Sequence, residues 1–236
     1  LRIAGSVGVN GTMASVDSEL TLLYRRMAGR RVATRGHVAN PYFLANNDTK
    51  DAKPFTHRDH DIFLVSRLDA FTVDEALALV DRGMAPVDDG LVVLDQRDAQ
   101  TNRIAEDWLV LAAKRLTDTG HRDRVFLETT VKPAQITEPV IGYYSWGSTD
   151  PQNRVRRSRL RFVAGALAAT FVSTDGRTFQ EPQSGWVPTN DLGNRATWFA
   201  GSPQSLIADL IRDGATGVAG HVAEPLLQSV IRPEVL

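Results

Sequence analysis

Short apolar runs alternate with amphipathic helical segments through most of this sequence, and this alternation is its most constraining feature. Six runs have the length and apolar character of strands buried on both faces: residues 61–69, 90–95, 124–129, 139–145, 166–173 and 216–222. Helical segments lie between several of them, as in βαβ units. The pattern predicts an α/β fold with a mostly parallel, doubly wound sheet and helices on both faces.

Capping signals and apolar spacing place the helices. Thr72 and Glu75 have the spacing of a capping box, which opens a helix to about Asp81. Ser202 and Pro203 mark a helix start, because proline suits the first helical position. Two further helices are predicted with one apolar face each: residues 15–27 with Val16, Leu20, Leu23 and Met27, and residues 102–119 with Ile104, Trp108, Leu111, Ala112 and Leu116.

The domain organisation predicted from this pattern is simple. No repeat or linker interrupts it, so residues 1–236 are interpreted as one α/β domain with long polar loops. The chain begins at Leu1 rather than at a methionine, and we expect it to be a fragment of a longer protein.

Composition and missing motifs exclude several classes of function. The 27 Lys and Arg residues balance 28 Asp and Glu residues, which argues against a nucleic-acid partner. No apolar run is long enough to span a membrane. The absence of cysteine excludes disulfides, thiolate metal sites and a cysteine nucleophile. The glycine patterns of nucleotide-binding loops and the serine elbow of α/β-hydrolases are also missing.

A functional site is expected at the carboxyl ends of the strands, where open parallel sheets bind their ligands. A polar, mixed-charge edge is predicted there. We select as candidate binding residues Arg67, Asp69, Trp146, Ser148, Asp175 and Arg177, and Asp95, Arg97, Thr129, Thr130 and Thr174 also follow predicted strands.

His221 is the best candidate for a general base, because an imidazole titrates near neutral pH. Ser173, at the end of the preceding predicted strand, is its candidate nucleophile. Either Glu224 or Asp150 could orient the imidazole. A core histidine that takes no part in chemistry is the competing interpretation of His221.

Two other polar segments have alternative interpretations. His57 and His60, with Asp59 or Asp61, could share a metal ion, but their spacing matches no known zinc pattern and a solvated loop is favoured. The arginine-rich residues 154–161 could bind phosphate, although a solvated loop balanced by nearby acids is favoured. We assign no metal and no cofactor.

Several motifs together resemble an uncharacterised bacterial protein family that carries only a numbered placeholder name. They include Ala-Ser-Val-Asp-Ser-Glu-Leu at 14–20, Gly-Tyr-Tyr-Ser-Trp-Gly-Ser at 142–148, and Gly-Ala-Thr-Gly-Val-Ala-Gly-His-Val-Ala-Glu-Pro at 214–225. The resemblance implies a longer protein that continues on both sides, behind an export signal. It implies no activity.

Residues 205–220 also resemble the late helix–strand unit of caspase-like cysteine peptidases of the gingipain type. In that superfamily a catalytic His-Gly follows one strand and a catalytic Cys follows the next. The matching places here hold Trp146-Gly147 and Ser173-Thr174. The resemblance therefore implies a caspase-like fold that lacks the inherited peptidase chemistry.

Three functional hypotheses follow. The first is a non-catalytic, exported binding or surface-assembly domain, whose ligand is an unidentified protein or small molecule. For such a domain we expect Tyr143, Tyr144 or Trp146 to be partly exposed in the crevice. The second is a divergent hydrolase of peptide or ester bonds that uses Ser173 and His221. The third is a metal-dependent variant.

Overall fold

The computed structural model describes residues 3–4, 12–13, 15–33, 38, 53–97, 103–153, 155–182, 205–222 and 230–235. The chain divides into two compact units, residues 1–67 with 222–230 and residues 68–221 with 231–236. None of the helices in the described ranges has the length and apolar character needed to cross a membrane.

The first unit contains short elements. Strands β1 (Ile3–Ala4) and β2 (Thr12–Met13) pair in antiparallel fashion. Helices α1 (Val16–Thr21) and α2 (Leu23–Met27) follow one another at Leu22, and α3 covers His57–His60. Ser15 caps α1 through the bond from the Ser18 amide to its Oγ. Leu22, Val38 and Ile62 form the small core, with Val32 and Phe55 packed against it.

The apolar face predicted for residues 15–27 is not the face that packs. Val16, Leu20, Leu23 and Met27 are all exposed, whereas Thr21 and Leu22 are buried. The single helix predicted for residues 15–27 is divided into α1 and α2, and the residues that pack lie where the two meet, because burial is decided by the neighbouring segments and not by the periodicity alone.

The second unit, in its described residues, contains a five-stranded, all-parallel sheet and three α-helices. The strands are β3 (Leu91–Asp95), β4 (Val125–Glu128), β5 (Pro139–Ser145), β6 (Arg161–Thr170) and β7 (Gly217–Ala219), in the spatial order β4-β3-β5-β6-β7. The helices are α4 (Val73–Met84), α5 (Arg103–Asp118) and α6 (Ile207–Arg212). Short 3-10 turns cover Arg122–Arg124, Gly147–Thr149 and Pro233–Val235. The predicted α/β class is confirmed.

Helices lie on both faces of this sheet. Val93, Tyr143 and Ala168 are register partners on one face, and they share a buried cluster with Leu210 of α6. The next residues along the strands, Leu94, Tyr144 and Ala169, face the other side because side chains alternate. The Phe171 ring packs against Tyr144 at a tilt, with centroids 4.6 Å apart, and lies 6.5 Å from Trp108 of α5, so α5 covers that second face.

Two strand predictions are wrong. The predicted strand at residues 61–69 does not form, and Leu64 and Leu68 are 62% and 66% exposed, so this apolar run is not buried between helices. Strand β6 covers Arg161–Thr170 instead of 166–173. An irregularity in its pairing with β5 includes Gly165, whose φ is +91° and whose added Cβ would lie 2.8 Å from Cβ of Pro86. This irregularity interrupts the regular alternation of side chains, so the sequence pattern does not indicate where the strand begins.

Candidate functional site

The strand order creates a topological switch point between β3 and β5. From β3 the chain crosses to β4 on one side, and from β5 it continues to β6 and β7 on the other. Sheets with this order bind ligands outside the carboxyl ends of the two strands at the reversal. The segments that begin at Gln96 and at Trp146 meet at this place, which we call the switch-point corner.

Arg97 covers the Trp146 indole at the switch-point corner. Its guanidinium carbon lies 3.6 Å from the ring centroid, and its Nη1 donates to the Thr149 carbonyl at 2.6 Å. Phe171 packs against the same indole, with ring centroids 4.5 Å apart. Trp146 is consequently only 5% exposed. A cation held over a desolvated aromatic face is a favourable arrangement, so Arg97 covers this face of the indole.

Two carboxyl groups, Glu106 and Asp150, interact with Arg97, and a third, Asp95, interacts with both of them. Burial raises the pKa of Asp95 to about 7, against the hydrogen bond that its Oδ1 accepts from the Ala134 amide at 3.2 Å. Burial also raises the pKa of Asp150, which Arg97 and the Gln152 amide oppose, and the pKa of Glu106, which the Arg97 amide and the Trp146 side chain oppose. Three carboxyl groups with pKa values raised by burial thus lie close together here, a property frequent at functional sites.

Asp175 joins three segments at a second corner, beyond the ends of β6 and β7. Its buried carboxylate accepts hydrogen bonds from Thr170 Oγ1 at 3.0 Å and from the His221 amide at 2.7 Å. Its own carbonyl accepts from the Ile207 amide at 3.0 Å, at the start of α6. Burial outweighs these donors and raises the pKa of Asp175 to about 7. Arg177, whose pKa burial lowers to about 10, lies near enough to oppose that rise.

A small cavity lies beside this second corner. The ion pair between Arg156 and Asp209, with Nε–Oδ2 at 3.0 Å and Nη2–Oδ1 at 2.6 Å, forms part of its wall. Its interior has room for about one water molecule. Arg156 and Arg157 pair with Asp209 and Asp213, so these two arginines of the predicted basic segment are balanced by acids.

Ser173 and His221 lie in two segments that a backbone hydrogen bond joins. Ser173 lies in the turn after β6, and the Gly176 amide of that turn donates to the His221 carbonyl at 2.8 Å. Both residues are half-buried. The pairing of their side chains stays a prediction. Glu224 lies outside the described residues, and Asp150 belongs to the switch-point corner with Arg97.

Arg67 and Asp69 do not follow a strand, so the reason for choosing them is wrong. Arg67 lies in the first unit, where its Nη2 pairs with Asp17 Oδ2 at 3.2 Å. Asp69 accepts a hydrogen bond from the Ala70 amide at 3.0 Å. Ser148 does follow β5, and its Oγ accepts from the Ser205 amide at 2.5 Å.

The aromatic side chains expected in the crevice are buried. Tyr143, Tyr144 and Trp146 are all core residues. The Tyr144 hydroxyl donates to the Ile231 carbonyl at 2.5 Å. Their exposure, which we expected of a binding domain, is therefore not observed.

The paired histidines form part of an aromatic cluster. His57 stacks on Tyr24 at 5.5 Å and meets the edge of Phe63 at 5.2 Å. Its Nδ1 lies 3.1 Å from the Ile62 carbonyl oxygen. Within the described residues no group of three or more potential ligands is placed to hold a metal ion.

Sequence reasoning missed Glu106. The predicted apolar face of residues 102–119 includes Ile104, which is exposed, whereas the buried face is made of Ala105, Glu106, Leu109, Ala112 and Ala113. These five residues also have helical spacing. A carboxylate in the middle of this second apolar face is the signal that could have identified Glu106.

Comparisons with known proteins found no relative of this chain. No protein-family model matches it. No curated protein and no solved structure matches it either. The geometry of the two corners is therefore the basis for any functional proposal.

Proposed function

We propose that this chain is a non-catalytic, caspase-like binding or surface-assembly domain of an exported bacterial protein. Trp146 is the observation that supports the non-catalytic part of this proposal. In the caspase-like pattern this position would carry the catalytic histidine, but here an indole lies buried under Arg97 and Phe171. An indole N–H is a donor only, so Trp146 cannot act as a base, and the Arg97 guanidinium covers its ring.

The charge of the switch-point corner supports a class of ligand. Asp95, Glu106 and Asp150 provide three buried carboxyl groups. The positive charge of Arg97 lowers the pKa of Glu106 and of Asp150, against the effect of burial. Negative charges buried close together repel one another, which makes ionisation of each carboxyl group less favourable. A further cation at this corner would reduce that repulsion. A protein or small molecule that presents an ammonium or guanidinium group is therefore the ligand that this corner favours.

Titration with two capped tetrapeptides tests the proposal, one containing Arg among three Ala and the other, as a matched control, Glu among three Ala. The readout is the Trp146 indole resonance in ¹⁵N-labelled protein, assigned with Trp146→Phe. The Arg peptide is expected to shift this resonance, and Glu106→Gln to weaken its binding about tenfold. Absence of a shift with the Arg peptide contradicts the ligand class, and cleavage of either peptide contradicts the non-catalytic role.

A divergent hydrolase is the second candidate, and the bond between Gly176 and His221 favours it because it holds the Ser173 turn against the His221 segment. A fluorophosphonate probe would label the nucleophile of such an enzyme. Labelling that disappears in Ser173→Ala and slows in His221→Gln would establish the hydrolase over the binding domain. Wild-type protein that stays unlabelled, while a serine hydrolase in the same tube reacts, would exclude it.

A further inference from the structure

Helix α4 exposes a continuous apolar stripe. Val73, Leu77, Val80 and Met84 are 74%, 59%, 44% and 80% exposed. Their spacing of four, three and four residues places them on one side of the helix. Single exposed apolar residues are common on protein surfaces, but four in a row along one helix mark an interaction surface.

The opposite side of α4 is held firmly, so the stripe cannot turn inward. Leu79 is buried in a cluster with Ala70 and Ile211. Arg82 Nη2 donates to the Ala215 carbonyl at 2.9 Å, and Arg212 Nε donates to Glu75 Oε1 at 2.5 Å. The capping box of Thr72 and Glu75 fixes the start of the helix as well.

Acidic side chains flank the stripe on one side. Asp74 and Asp81 follow Val73 and Val80 directly, and both are exposed. A second copy of α4 packed antiparallel about a two-fold axis would bring these acidic flanks together, and a parallel copy would align the two helix dipoles. Charge complementarity therefore favours a partner that carries basic residues beside its own apolar stripe.

We propose that this face of α4, made of Val73, Leu77, Val80 and Met84 with Asp74 and Asp81, docks an amphipathic helix of another protein that carries Lys or Arg beside its apolar stripe. The apolar side chains supply the buried area, and the two aspartates select the partner by charge. This surface is independent of the switch-point corner, so either proposal can fail without the other.

Fluorescence anisotropy with two synthetic helical peptides of about five turns tests the docking. Both carry Leu at spacings of four, three and four residues, and the residues beside this stripe are Lys in one peptide and Glu in the other. The protein is expected to bind the Lys peptide at least about tenfold more tightly than the Glu peptide. The preference should decrease with added salt, which screens exposed charges.

Three variants make the test specific. Leu77→Glu is expected to weaken binding of the Lys peptide by at least about tenfold, since it places a charge in the centre of the stripe. Val110→Glu, at an exposed apolar position of α5, is the matched control and should leave binding unchanged. The double variant Asp74→Lys with Asp81→Lys should reverse the preference towards the Glu peptide. Circular dichroism checks that each variant is folded.

The proposal is overturned by any of three results. The first is that neither peptide binds. The second is binding that Leu77→Glu leaves intact or that the double Lys variant does not reverse. The third is a dimer in sedimentation velocity that dissociates in Leu77→Glu, because the occupant of the stripe is then a second copy of this chain.

Discussion

Replacement of Asp175 by asparagine should change how the stability of the protein depends on pH. The carboxylate is buried, and burial raises its pKa from 3.8 to about 7. The asparagine side chain resembles the protonated acid in shape and keeps an oxygen that can accept from the His221 amide. The variant therefore isolates the free energy of ionising Asp175 inside the protein.

The magnitude follows from the two pKa values. Each pH unit between them is worth about 1.4 kcal/mol, so ionisation of Asp175 destabilises the folded state by about 4 kcal/mol. The raised pKa means that the folded protein holds this proton more tightly than the unfolded chain does. The wild type should therefore lose stability relative to Asp175→Asn as the pH rises from about 4 to about 7, and the difference should stay constant above that.

Urea unfolding followed by tryptophan fluorescence, at pH values from about 4 to 8.5, measures this difference. Asp107→Asn removes an exposed carboxylate from α5 and serves as the matched control. If the difference between wild type and Asp175→Asn does not vary with pH, or if the wild type gains stability relative to the variant as pH rises, burial is not what governs this carboxylate.

Three further perturbations test the packing around the two corners. Arg97→Ala uncovers Trp146 and leaves acids unpaired, so the tryptophan emission should shift to longer wavelength and urea unfolding should show a loss of about 2 kcal/mol. Gly220→Ala places a Cβ 2.6 Å from Asp175 Oδ1, and the melting temperature should fall by an amount that corresponds to about 1–3 kcal/mol. Leu109→Ala empties a fully buried position of α5, with an expected loss of about 2–5 kcal/mol in denaturant unfolding. These expectations would be contradicted by an unchanged emission maximum in Arg97→Ala, an unchanged melting temperature in Gly220→Ala, or an unchanged unfolding midpoint in Leu109→Ala.

The elements with strong local signals could be predicted closely. The capping box at Thr72 is present, and the helix it opens extends to Met84. Strand β5 has the predicted bounds, and β3 and β4 differ from the prediction by a residue at one or both ends. Capping and continuous apolar character act over a few neighbouring residues, so they can be recognised without knowledge of the fold.

The candidate site could be predicted in its location but only partly in its members. The carboxyl edge of a parallel sheet follows from the fold class, and Trp146 and Asp150 lie there as predicted residues of this edge. Arg67 was assigned to it through a strand that does not form. Glu106 was missed because two sides of the same helix carry apolar residues at helical spacing.

The α/β class, the capped helices and most of the strands are thus properties of the local sequence, because backbone preferences and residue periodicity act over short distances. The strand order, the switch point and the proximity of Arg97 to Trp146 depend on contacts between residues distant in the chain. So do the burial of Asp95, Glu106 and Asp175 and the exposure of the α4 stripe. Burial is a property of what packs against a side chain, and it sets both the pKa of these carboxyl groups and the surfaces left open for a partner.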